Sequence, residues 1–67
     1  MEVDVRGLSC PEPVMQVAAA LKESPEKVVV ILSEAHSVAN VKNYALEHGY
    51  RVSQEAKGFD YLLTLEK

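Results

Sequence analysis

The chain has 67 residues, 7.4 kDa and a single cysteine, which allows one small domain over residues 1–67 and excludes an internal disulfide as its staple. Hydrophobic residues make up 48% and charged residues 25%, a globular balance rather than a disordered or fibrous one. Ten acidic residues against seven scattered basic ones give a net charge of −3, without the basic stripe of an autonomous nucleic-acid binder, so no direct contact with DNA or RNA is expected.

In chain order, Glu2-Val3-Asp4-Val5-Arg6 alternates polar and apolar residues and reads as a half-buried strand ended by Gly7. From Pro11 to Lys22 the residues Val14, Val17, Ala18 and Leu21 recur at i, i+3, i+4, i+7, the apolar face of a helix. Glu23 to Glu26, with Pro25, break it, and the β-branched run inside Lys27 to Ser33 suits a central strand. Ser37 is the expected N-cap of a second helix, carrying Val38, Val41 and Ala45 inward and stopped by Gly49 as the C′ residue.

Tyr50, Val52 and Gln54 then alternate with Arg51, Ser53 and Glu55 in a third strand. After a turn at Lys57-Gly58, Phe59, Tyr61, Leu63 and Leu65 are expected on one face of a fourth, closing a hairpin. The order is βαβαββ. Right-handed crossovers put both helices on one face of a four-stranded sheet, giving an α/β (α+β) two-layer sandwich. The other face is expected to show Glu2, Asp4, Arg6, Arg51, Ser53, Glu55, Asp60, Thr64 and Glu66, interrupted by Leu62 and one set of side chains from Val28 to Leu32. It reads as a solvated face, with a weak docking surface as the alternative.

The longest apolar run, Val28 to Leu32, is far short of a membrane span. Met1 is followed at once by Glu2 and Asp4 rather than by a basic and then apolar leader, so a reducing, cytoplasmic setting is expected.

The chemistry concentrates at Leu8-Ser9-Cys10-Pro11-Glu12-Pro13. Pro11 fits the first helical position, where its missing N–H has no intrahelical partner, which makes Cys10 the expected N-cap. Pro13 removes another N–H that needs no intrahelical acceptor, and the two prolines stiffen the first turn. A helix N-terminus stabilises a nearby anion, and one pKa unit of lowering from about 8.5 would raise the thiolate fraction at pH 7 from roughly 3% to roughly 24%. Glu12 and the lost N–H groups oppose this, so a moderately activated thiol is expected.

Position 13 holds proline where a dithiol redox motif needs its second cysteine. Cys10, His36 and His48 are too few for a structural zinc site, and no metal or cofactor is expected. Hydrolysis by a Cys/His pair is formally open, but so short a chain has little room for a cleft with an oxyanion hole. A nucleophile without base, partner thiol or pocket suits the receiving and handing on of a small group, such as persulfide sulfur.

The run Asp4-Val5-Arg6-Gly7-Leu8-Ser9-Cys10-Pro11-Glu12-Pro13-Val14-Met15 resembles the signature of the TusA/SirA/YedF-like family of small sulfur carriers, Gly-Leu-x-Cys-Pro-x-Pro, and the resemblance covers essentially the whole chain. Ser37 to Tyr50 is more similar to the YedF-like branch than to the tRNA-thiolation member. The resemblance implies a mixed sheet of order 1-2-4-3. It implies that Cys10 accepts sulfane sulfur from a cysteine desulfurase or rhodanese and passes it to an acceptor protein. Gly7, Leu8, Pro11 and Pro13 would shape the loop and helix start. Arg6 and Glu12 are candidate partner contacts, with ordinary solvated charge as the plainer reading.

Ser9 and the stretch Gln16-Val17-Ala18-Ala19-Ala20 stand where the tRNA-thiolation member is basic, so the partners need not be the same. A monomer is expected. The alternative function is a non-catalytic regulatory or interaction module of the same fold.

Overall fold

The computed structural model describes residues 1–8 and 12–67. Six elements follow in the expected order: β1 (Glu2–Asp4), α1 (Glu12–Leu21), β2 (Lys27–Leu32), α2 (Ala35–Glu47), β3 (Arg51–Lys57) and β4 (Asp60–Glu66). The strands form one mixed sheet of order β1-β2-β4-β3, with β1 parallel to β2 and β4 antiparallel to both its neighbours. The surface left exposed is 4242 Å², in line with the roughly 4,200 Å² that area scaling gives for a folded chain of this mass.

The β2–β4 register builds the core. Val28, Val30 and Leu32 face Leu65, Leu63 and Tyr61 as cross-strand partners, and the first five of these are buried. Period-two alternation sends these side chains to the helix layer and leaves Val29, Ile31, Leu62 and Thr64 half-buried on the other face. The helix layer contributes Pro13, Val17 and Leu21 from α1, spaced at i, i+4, i+8, and Val38, Val41 and Ala45 from α2. Val14 and Ala18 sit at the margin of the α1 face, half-buried. The stripe is thus rotated slightly toward Pro13.

The end of α2 forms as expected. Gly49 has φ of +83°, Tyr50 N–H donates to the Ala45 carbonyl at 3.0 Å, and Gly49 N–H donates to that of Leu46 at 3.2 Å. This pair of bonds is a Schellman motif, and it drops buried Tyr50 onto the core. The tip of Tyr50 is satisfied by its hydroxyl donating to the Pro25 carbonyl at 2.7 Å.

Two expectations need correction. Ser37 does not cap α2: the N-cap is Glu34, in extended backbone with φ of −124°, and the helix starts at Ala35. Ser37 lies inside the first turn, buried, with no hydrogen-bond partner for its hydroxyl among the described residues. Phe59 is not on the inner face of β4 either. Lys57 pairs with Asp60, so Gly58 and Phe59 are the two turn residues, and Phe59 is 99% exposed. Gly58 at φ +63° followed by a residue without positive φ follows the type II′ pattern, a two-residue hairpin loop that asks for glycine first.

Candidate functional site

The sheet topology gathers one end of the molecule. β1, β2 and β3 finish there and β4 begins there, so the β1–α1 connection, the β2–α2 connection and the Gly58-Phe59 turn share that end. Cys10, the candidate nucleophile, lies outside the described residues, as do Ser9 and Pro11. Its proposed place as N-cap, and that of Pro11 at the first helical position, therefore also lie outside them. The flanking candidates Arg6, Gly7, Leu8, Glu12 and Pro13 are all described.

Upstream, β1 leaves its last ladder bond at Val5, whose N–H donates to the Ile31 carbonyl at 2.9 Å. The chain then turns. Leu8 N–H donates to the Val5 carbonyl at 3.2 Å, with Gly7 at φ +80° in the third position, where such a turn calls for glycine. Gly7 N–H donates to Ser33 Oγ at 3.0 Å, tying this turn to the end of β2. Leu8 packs, half-buried, against the core. Downstream, Glu12 is exposed in the first turn of α1 while Pro13 is fully buried. Leu8 and Pro13 thus anchor the chain on both sides of residues 9–11.

Arg6 organises the charge at this end. Its Nε and Nη2 donate to the two carboxylate oxygens of Asp4 at 3.0 and 2.8 Å, and its backbone N–H donates to Asp4 Oδ1 at 3.1 Å. Nη1 reaches Asp60 Oδ2 at 3.4 Å. The hydrogen bonds from Arg6 hold the Asp4 carboxyl below its ordinary value of 3.8, and the same bonds, with Asp60 contributing less, push the Arg6 guanidinium up. Arg6, a candidate partner contact from the sequence, also links Asp4 at the end of β1 to Asp60 at the start of β4. Sequence pattern does not mark Asp60 as a site residue, and it marks Asp4 only through the Asp4-x-Arg6 spacing of an Asx turn. Nothing in the local pattern marks Ser33.

The helix-free face of the sheet carries a shallow groove of about 450 Å³. Val29, Ile31 and Leu62 form its floor, and Glu2, Arg6, Lys57, Asp60 and Tyr61 line it as well. It coincides with the apolar interruption expected on that face. Among the described residues no group of three or more His, Cys, Asp or Glu side chains could hold a metal ion, and no helix is long and apolar enough to cross a membrane.

The TusA sulfurtransferase family matches over residues 1–67. This chain belongs to the TusA family. A SirA-like protein from Desulfitobacterium hafniense, solved by crystallography, shares the fold with a TM-score of 0.88 and 28% identity, covering 97% of this chain and 93% of that one. No match was found among curated protein sequences. The sheet order that the family resemblance implied is the one observed, and a TusA-family chain is at the family level a sulfurtransferase.

Proposed function

We propose that this TusA-family chain, acting as one domain over residues 1–67, carries sulfane sulfur as a persulfide on Cys10. The observation that supports the reading is the Gly-Leu-x-Cys-Pro-x-Pro run, flanked by two anchored points: the Gly7 turn tied to Ser33, and Pro13 buried at the start of α1. Such flanks restrict where a cysteine between them can go, while a partner supplies the rest of the chemistry.

In the loading step the Cys10 thiolate attacks the terminal sulfur of a donor protein's persulfide. The donor's S–S bond breaks, its inner sulfur leaves as a thiolate with the electron pair, and the hydrogen stays on the transferred sulfur. No outside oxidant or reductant is consumed. In the unloading step a nucleophile of the acceptor takes the same terminal sulfur and Cys10 returns to a thiolate. The donor is a cysteine desulfurase or rhodanese, the acceptor another protein, and the setting a reducing compartment such as the cytoplasm, where a lone thiol stays available.

Incubation with a cysteine desulfurase and cysteine, followed by intact-mass measurement, tests this. The expected result is a gain of one sulfur mass, about 32 Da, that Cys10→Ser abolishes. No adduct with several donors, from a protein whose thiol iodoacetamide still modifies, would replace the carrier with a binding module of the same fold.

A further inference from the structure

Phe59 is wholly exposed, yet fully burying a phenylalanine side chain stabilises a fold by about 1.5–3 kcal/mol, so folding leaves this ring unused. The turn does not require it: the backbone demand falls on Gly58, at φ +63°. Its position is specific, because the neighbouring Asp60 is held at 3.4 Å by Arg6, four residues before Cys10 in the sequence. The exposed ring and the start of the cysteine loop are thus braced to each other at one end of the sheet.

The charges at that end favour one kind of surface. Four carboxylates, Asp4, Glu12, Glu34 and Asp60, outnumber the cations Arg6 and Lys57, and Arg6 is already engaged by two of the four. Leu8 and Glu12, the described residues on either side of Cys10 in sequence, lie at this end, so a protein that brings a persulfide to the loop between them meets these carboxylates, and the complementary face is an apolar pocket with a basic rim.

We propose that Phe59 is the docking anchor for the persulfide donor, its ring entering an apolar pocket rimmed by Lys or Arg on that protein. This rests on the carrier reading above. The test uses a persulfide-loaded cysteine desulfurase that loads the wild-type chain, and compares initial rates of the 32 Da gain at sub-saturating donor for wild type, Phe59→Ala, Phe59→Trp and Leu46→Ala.

Leu46, also exposed, lies in the last turn of α2 at the opposite end and serves as the control. Phe59→Ala is expected to load about thirtyfold more slowly, the loss at the threshold of an aromatic hot spot, with an unchanged melting transition and unchanged alkylation of Cys10 by iodoacetamide. Phe59→Trp and Leu46→Ala should load near the wild-type rate, and added salt should slow wild-type loading. Loading of Phe59→Ala at the wild-type rate overturns the anchor and leaves the carrier intact, and a rate that rises with salt overturns the basic rim. A wild-type chain that gains no sulfur from any donor overturns the carrier reading and the anchor together.

Discussion

The guanidinium of Arg6 bridges Asp4, two residues before it, and Asp60, 54 residues after it. One side chain therefore holds the start of the cysteine loop and the β3–β4 hairpin together across the outer face of the sheet. Its contacts are solvent-exposed, so salt and pH should act on them directly.

Because Arg6 lowers the Asp4 pKa below 3.8, its contribution is present above that value and is lost as pH falls through the lower pKa of the folded state. Wild type should unfold at higher urea than Arg6→Gln at pH 7, and the gap should narrow as the pH drops well below 3.8. High salt at pH 7 should narrow it too. A gap that is the same at every pH would remove the brace from the stability of the fold.

The two serines near the start of α2 should respond in opposite directions. Ser33→Ala takes the acceptor from Gly7 N–H at an exposed site, where water partly substitutes, and should cost about 0.5–1 kcal/mol. Ser37→Ala removes a buried hydroxyl that lacks a partner among the described residues and replaces it with a better helix former. It should gain about 1 kcal/mol. Urea unfolding of both variants beside wild type checks the pair.

Gly49→Ala should cost about 1–2 kcal/mol purely through its backbone. A Cβ there would meet nothing within 4 Å, so crowding plays no part, but φ is +83°. Helix content measured by circular dichroism should stay near wild type while the thermal midpoint falls.

Leu63→Ala should be far more damaging. Leu63 is fully buried opposite Val30, and such truncations cost about 2–5 kcal/mol. A chain of this length holds roughly 3–10 kcal/mol in total, so a large unfolded fraction at 37 °C is the expected result by chemical-shift dispersion.

Most of the architecture was legible because periodicity and punctuation agreed. The β-branched run inside Lys27 to Ser33 suits a central strand, which β2 is, and Gly49 stops α2 by the mechanism its position suggests. The misreadings share a cause. Ser37 looked like a cap because serine favours that role, but the chain leaves β2 so abruptly that Glu34 already takes the N-cap position and carries Ser37 inside. Alternation alone extends the strand to Phe59, whereas the two-residue hairpin ends the ladder at Asp60. Sheet order came from the family resemblance, since strand pattern does not say which neighbours pair. The contacts of Ser33 with Gly7 and of Arg6 with Asp60 join residues 26 and 54 apart, beyond the reach of local pattern.

Placing β4, the last of the six elements, inside the sheet rather than at its edge has a consequence for synthesis. Until Asp60–Glu66 has left the ribosome, β2 and β3 each expose a strand edge that only β4 covers, and the inner faces of Val28, Val30 and Leu32 lack their partners. Before that, helices of 10 and 13 residues have little stability of their own, because the sheet face they pack on is incomplete. Until β4 pairs, those strand edges are open to chaperones or to one another.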